Sequence, residues 1–583
     1  MRKIYLTLIT IFCTLNILAQ GWPANYGGVM LQGFYWDSYT DTQWSNLENQ
    51  ADTLSKYFNL IWVPQSGYCN TYTNQMGYAD IWWFNQNSCF GTDRELKSMI
   101  TTFKGKGLLT IADVVINHKN GKTNWCDFPT ETWNGQTMNW SLADICAGDD
   151  NGKTKAAGYN VTGAADTGDD FDGCRDLDHT SLNVQKNIKL YLHFLEEEMG
   201  YSGFRYDMTG GYAPKYTQLY NEDAKPAFSV GEYWRSDGIN GLKNWVDGTG
   251  KTSAAFDFEL KWLINSAFSS TSNFKNLADY TSKALIGQDG YSQYAVTFVD
   301  NHDTGRESSE ALHANIEAAN AYILTMPGTP CIFLSHWKAY KKAIKKLILA
   351  RRIAGITNQS TVFYSEGEDN GYSVGVKGNN GSALLLLGTT TTSTDGYELA
   401  CEGENYKLYI TKGLDLTAIN EVGDEKSTIT LPSFVTAQEG TYAYFEEPST
   451  WSNTINVWAW YSNATNDNLY GSTAKWPGVS TDVTYAGENN GKKVFLWKYS
   501  GTNNAPDKII FNDGTNQTND FDFVNGSYYT TDGSQAVVTG IRKITVTTNK
   551  KNDSDNKRYN LSGQRVPPDY KGIVIVKGKK YIN

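Results

Sequence analysis

From residue 27 to about residue 336, short apolar runs alternate with longer stretches whose apolar residues recur at helical spacing. The runs Val29–Trp36, Leu60–Pro64, Leu108–Val115, Gly203–Asp207, Phe228–Glu232, Ala254–Phe258, Ala295–Val299 and Thr329–Leu334 read as strands. Asp41–Phe58, Asp93–Lys106, Ser181–Met199 and Glu307–Met326 between them read as amphipathic helices. Eight strands with intervening helices predict an α/β fold, a (β/α)8 or TIM barrel. A doubly wound open sheet competes with it, but no GxGxxG loop follows a strand. One connection is long: residues 119–179 are rich in Gly, Asp, Asn and Thr and carry no clear helical pattern, as an inserted subdomain B would.

A basic helix, Trp337–Ile356, closes the barrel, giving a catalytic-sized domain over 21–356. Alternating strands over 357–447 suggest an antiparallel β-sandwich, and an aromatic-rich β unit follows over 448–535. The last segment, 536–583, is a Lys-rich β tail. At the other end, residues 1–20 combine Arg2 and Lys3 with the apolar run Ile4–Leu18 and small residues near Ala19, the pattern of an export leader. Export of the mature chain is therefore expected, to the extracellular space or cell surface. No later segment is long and apolar enough to span a membrane.

Composition narrows the partners. A formal charge of −11 argues against nucleic acid or an anionic membrane surface and suits an uncharged substrate. Aromatics make up 14% of the chain, with 18 Trp and 37 Tyr, faces that stack on sugar rings as well as filling cores. Seven cysteines follow the leader, five of them clustered between Cys69 and Cys174 where disulfides are expected, and their odd number leaves at least one unpaired. The chain is expected to act as a monomer.

The chemistry lies at strand ends, where a barrel builds its site. ADVVINH (Ala112–His118), GFRYD (Gly203–Asp207), GEYW (Gly231–Trp234) and FVDNHD (Phe298–Asp303) each bring acidic or histidine side chains to the same mouth. Asp207 and Glu232 fall on neighbouring strand ends, so a carboxylate separation of roughly 5–5.5 Å is within reach, the spacing of a retaining glycosidase pair. Arg205 precedes Asp207 by two residues, shares its side of the strand and is positioned to keep it ionised. Glu232 needs the opposite, a raised pKa. His118 and His302 would act as uncharged donors to hydroxyl groups.

These four segments, in this order, resemble the signature regions of the α-amylase family, glycoside hydrolase family 13, and most closely its plant and archaeal members; GEYW, FVDNHDTG and GTPCIF are the telling strings. The resemblance covers roughly residues 22–445. It implies endo-hydrolysis of α-1,4 bonds in starch and related α-glucans by double displacement. Asp207 would then be the nucleophile, Glu232 the acid/base and Asp303 the transition-state stabiliser. It further implies that His118, Arg205 and His302 line the cleavage subsite and that Tyr78, in MGYADIW, is the aromatic platform there. A structural Ca2+ is implied between barrel and insertion, held by Asn117, Asp178 and the carbonyl of Gly211; hard oxygen donors suit that ion. One position departs: three residues after the nucleophile many members carry Lys, where this chain has Gly210.

VWAWYSN (Val457–Asn463), AKWPG (Ala474–Gly478) and DKIIFNDGTNQTND (Asp507–Asp520) resemble a family 26 starch-binding module, with Trp460 and Trp476 expected to stack on sugar. The tail Lys557–Asn583 resembles those of type IX secretion cargo. Two other readings compete: a maltogenic or branching relative of the same clan, and a non-catalytic starch-binding homologue. The second would be expected to have lost a carboxylate, and Asp207, Glu232 and Asp303 are all present.

Overall fold

The computed structural model describes residues 21–531 apart from 70–74, 125, 148–151, 424–430, 433, 449–450, 452–453, 463–466, 473 and 490. Of the tail it describes the backbone strands Gln535–Val537, Arg558–Tyr559, Ile573–Val576 and Lys579–Ile582, the last three forming a small sheet. The expected leader lies outside the described residues. The chain divides into two compact units, 1–424 and 425–583.

In the first unit the eight expected strands close into one parallel barrel. They are β1 (Met30–Gln32), β2 (Leu60–Trp62), β3 (Leu109–Val114), β4 (Gly203–Tyr206), β5 (Phe228–Gly231), β6 (Ala254–Phe256), β7 (Ala295–Phe298) and β8 (Thr329–Phe333). Each pairs with the next, and Met30 of β1 closes the ring against Cys331 of β8. The strands are apolar on both faces because helices cover the outside and side chains fill the inside. In that interior Trp62 packs tilted on Phe256, which meets Phe298 edge to face. The outer helices follow the expected spacing. In Asp93–Gly105, Leu96, Met99, Ile100 and Phe103 form the buried stripe, and Thr92 with Glu95 makes a capping box at its start. Burying four such side chains contributes about 1.5–3 kcal/mol each.

Two helices begin or break differently from the pattern. Asp41–Phe58 is split into Trp44–Glu48 and Ala51–Tyr57, where Asn49 and Gln50 turn the chain. The helix expected from Glu307 starts only at Ile316, after Asn315 adopts a left-handed conformation (φ 54°). The preceding turn is held by the buried Asp300, which accepts from the Leu312 N–H.

The insertion is clamped to the barrel by a short antiparallel ladder, His118–Lys119 against Arg175–Asp176. Lys119 is fully buried there, 4.4 Å over the Trp83 ring and 3.9 Å from Asp80. Glu131, on the insertion's hairpin, accepts the backbone N–H groups of Trp83 and Phe84 at 2.8 Å. These buried polar ties fix the insertion beside the end of β3.

After the barrel a five-stranded antiparallel sheet runs β9 (Thr361–Glu368), β10 (Gly371–Lys377), β11 (Ser382–Gly388), β12 (Tyr397–Gly403) and β13 (Tyr406–Thr411), in the order β9-β10-β11-β13-β12. Its buried residues share one core with the barrel helices; Tyr372 meets Tyr322 of Ile316–Thr325. Among the described residues this sheet is one layer, backed by helices.

In the second unit, Tyr442–Glu446 pairs with Lys492–Lys498 and Ser527–Tyr529, so this strand joins the sheet of the aromatic-rich unit. That five-stranded sheet and a three-stranded one built on Asn456–Trp460 enclose a core in which Phe445 and Phe511 stack at 4.4 Å. Cys69, Cys89, Cys174, Cys331 and Cys401 are thiols, which corrects the expectation of bridges within the Cys69–Cys174 cluster for those positions. No helix among the described residues is long and apolar enough to cross a membrane.

Candidate active site

Arg205 on β4 is the centre of the barrel mouth. It is fully buried, and its guanidinium reaches Asp113 Oδ1 and Asp207 Oδ1 from Nη1, both at 2.8 Å, and Glu232 Oε1 from Nη2 at 2.6 Å. The strand period places it there: Arg205 and Asp207 are two apart, and Glu232 follows β5, the neighbouring strand. Glu232 Oε2 accepts the Met208 N–H at 3.1 Å. Its Oε1 lies close to Arg205 but out of line with the N–H, and no hydrogen bond satisfies it among the described residues. Asp303, beyond the end of β7, faces the same cluster through His302 Nε2 at 3.3 Å and is paired with Arg306 at 2.9 Å.

A second chain of contacts supports this one. Tyr78 donates its hydroxyl proton to Asp113 Oδ2 at 2.8 Å and lies 2.6 Å from His302 Nε2. Gln32 Nε2 stands 3.0 Å from His302 Nδ1; with that amide donating, the ring proton is on Nε2 and points to Tyr78. Trp36 stacks on Tyr78 at 6.0 Å, and the Arg306 guanidinium covers Trp36 at 3.5 Å. His118 sits behind Tyr78, 2.8 Å from its carbonyl oxygen.

The electrostatics follow from crowding. Burial is the largest influence on Asp113, Asp207, Glu232 and Asp303 and raises the pKa of each, with Arg205 the chief opposing influence. At Asp207, Arg205 acts in the expected direction, toward the ionised form, against burial and the neighbouring carboxylates. One guanidinium is divided among several carboxylates, so the group retains protons where isolated carboxylates have lost them. Burial lowers His118 to about 4 and holds His302 well below its ordinary value, leaving both neutral near pH 7.

Of the expected metal ligands, Asn117 and Gly211 come together. A side-chain carbon at Gly211 would stand 2.1 Å from Asn117 Oδ1, so only glycine allows that approach. Asp178 does not join them: its two oxygens accept from Thr180 and from the Ala164 N–H. The carboxylate beside Asn117 is instead Asp176, which accepts from Nδ2 at 3.0 Å. Asp166 adjoins Asp176, with Oδ2 buried and without a hydrogen-bond partner among the described residues. Two adjacent carboxylates, an amide oxygen and a backbone carbonyl fit a hard cation. The neighbouring loop also meets the 3-10 turn Thr209–Gly211 after β4 at close range. A Cβ on Gly168 would lie 2.3 Å from the Gly211 carbonyl carbon and 2.4 Å from Gly210 O.

In the second unit Trp458 and Trp460 alternate outward along their strand while Val457 and Ala459 enter the core. Trp476, 48% exposed, pairs with Trp458 at 5.9 Å rather than with Trp460. Sequence reasoning passed over Trp458, Asp113 and Asp176. The signals were present: Asp113 lies inside ADVVINH, Asp176 two residues before Asp178, and Trp458 on the same strand face as Trp460.

The alpha-amylase catalytic domain profile matches residues 61–337, and that of starch-binding module 26 matches 443–523. The chain is 32% identical over 402 residues to a probable alpha-amylase 2 of Arabidopsis thaliana, covering 65% of this chain and 93% of that protein. It is 28% identical to the chloroplastic alpha-amylase 3 of the same plant (66% and 44% covered). It is 30% identical to a glucan 1,4-alpha-maltotetraohydrolase of Stutzerimonas stutzeri (59% and 65% covered). With its closed barrel, its carboxylate cluster and these relatives, the chain belongs to the alpha-amylase family and is a glycoside hydrolase of family 13.

Proposed function

We propose that this protein is an exported endo-acting α-amylase that cleaves α-1,4 bonds of starch with retention of configuration. One observation carries the reading: Asp207 and Glu232 share the two terminal nitrogens of a single buried guanidinium, with Asp303 beside them. Carboxylates held this close suit double displacement better than the wider spacing that admits a water between them.

In that mechanism Asp207 attacks the anomeric carbon while Glu232 gives its proton to the leaving oxygen. Glu232 then takes a proton from the water that releases the sugar. The buried, raised carboxyl of Glu232 suits the acid role. Asp303 would face the oxocarbenium-like centre. Tyr78, backed by Trp36, would offer its ring to the sugar, with the neutral His302 holding its hydroxyl and His118 bracing its backbone from behind. Calcium, where bound, would be held by Asn117, Asp176, Asp166 and the Gly211 carbonyl. It would fasten the insertion to the barrel and takes no part in the reaction steps. Trp458 and Trp476 would bring starch to the enzyme by adsorption, raising its local concentration. The leader and the tail are read as export signals.

Glu232→Gln tests the assignment. Hydrolysis of amylose should fall by 10²-fold or more while starch adsorption persists, and unchanged turnover would overturn the reading. Polarimetry of maltoheptaose digests should show α-products; β-products would refute retention.

A further inference from the structure

A groove of 600 Å³ lies away from the barrel mouth, on the outer wall, between the insertion's hairpin and the helix Leu182–His193. No member of the carboxylate cluster borders it. The helix leads back from the insertion toward β4, and Asp223 closes the groove from the last turn of the helix that follows β4, Pro214–Ala224. Helices of such a barrel run antiparallel to its strands, so the groove descends the wall from the mouth side toward the opposite end. Its volume is that of a ligand site, about 300–1,000 Å³.

Its walls are rigid. Glu131–Trp133 pairs with Gln136–Met138 across the tight turn Asn134-Gly135, both residues in the left-handed region (φ 50° and 72°). Asn183 and Asn187 of the helix donate to the Asn139 carbonyl at 2.9 and 2.8 Å, which ties hairpin to helix. Trp133 is partly exposed and lines the groove, its ring clamped by Phe84 at 6.3 Å and Phe194 at 5.7 Å. Leu182, 81% exposed, adds a second apolar contact. The polar lining is balanced in charge. Lys189 pairs with Asp223 at 3.1 Å, and Lys186 is offset by Glu197, so the groove favours neither an anion nor a cation. Gln136 and Gln185 supply amides that both donate and accept. A fixed indole beside balanced donors and acceptors suits an uncharged ligand with an apolar ring face and many hydroxyls.

We infer that this groove is a second α-glucan site, which holds one strand of starch on the barrel wall while another segment of the polymer occupies the mouth. Trp133 carries a sugar ring and Leu182 meets the apolar edge of a neighbouring one. Gln136, Gln185 and the Lys189–Asp223 pair take the hydroxyls. Engagement at two places makes the second contact intramolecular, so polymer is retained more strongly than a short oligosaccharide that reaches the mouth alone.

The inference rests on the proposed hydrolysis, and the test separates the two. The full chain carrying Trp458→Ala and Trp476→Ala, which removes the module's stacking pair, serves as the background. Soluble amylopectin can reach both mouth and groove, whereas maltotetraose is too short to bridge them. Adding Trp133→Ala should lower the ratio of kcat/KM on amylopectin to kcat/KM on maltotetraose by roughly tenfold, and Trp133→Phe should retain most of it. Leu182→Asp guards against a folding defect, since the side chain is exposed and an acid in the first turn favours the helix. It should lower the ratio by about threefold through loss of the apolar contact. An unchanged ratio in Trp133→Ala or in Leu182→Asp, or equal losses on both substrates in Leu182→Asp, would overturn the inference. A wild-type protein inert on both substrates would instead sink the proposed function.

Discussion

Replacing Arg205 by Met tests the electrostatic account of the barrel mouth. Arg205 is the buried cation that Asp113, Asp207 and Glu232 share, and Asp303 also feels it. Removing one partner of a buried ion pair costs about 3–5 kcal/mol. With three carboxylates orphaned at once, the loss should fall at the upper end. It should also depend on pH in a definite sense. These carboxyls are raised above their unfolded values already in the wild type, and loss of the arginine raises them further. A carboxyl whose folded pKa exceeds its unfolded one costs nothing below the unfolded value, near 4. The cost grows as pH rises from there through the folded value. Arg205→Met should therefore be most destabilised at pH 8 and recover much of the loss at pH 5. Arg351 is the control: it too is fully buried, but it donates to the carbonyls of Leu324, Met326 and Gly328. Its Met variant should lose stability almost equally at both pH values. Thermal unfolding followed by circular dichroism at pH 5 and pH 8 reads both. A pH-independent loss in Arg205→Met, or one below about 1 kcal/mol, would refute the shared-guanidinium argument.

Two further expectations follow from the metal and starch-binding assignments. Adding calcium to chelator-treated protein should raise the thermal midpoint, by about 2.7 kcal/mol of stability at a hundredfold excess over Kd, and Asp176→Asn should blunt that rise while Asp178→Asn should not. Titrating calcium into each variant during thermal melts checks this. Trp476→Ala should weaken adsorption to granular starch at least tenfold relative to turnover of soluble maltoheptaose, and Trp458→Ala should do the same; sedimentation with granules measures it, and normal adsorption would remove this pair from the binding surface.

The barrel was legible because its eight strands are apolar and bounded by polar loops, a signal carried by each segment alone. Asp207, Glu232 and Asp303 were legible because strand ends in a barrel converge whatever the loops do. Asp113 and Asp176 were harder. Asp113 matters through a contact with Arg205 from the adjacent strand, which depends on barrel register rather than on any local pattern. The choice between Asp176 and Asp178 turns on which residue forms the ladder with His118 and which caps the turn before the helix at Leu182. Alternation alone cannot decide that. The helix start at Ile316 was hidden for a similar reason, since buried Asp300 recruits the preceding turn from a distance.

At Gly168 the insertion rests on the turn Thr209–Gly211 peptide against peptide, with no side chain as a spacer. Such a seam has no tolerance to trade. Any larger residue would lever the loop away from the turn Thr209–Gly211 and withdraw Asp169 and the Asp166–Asp176 pair together, since all sit on the same stretch of chain. Variation is therefore open at the partly exposed Trp234 and Arg235 and closed at Gly168.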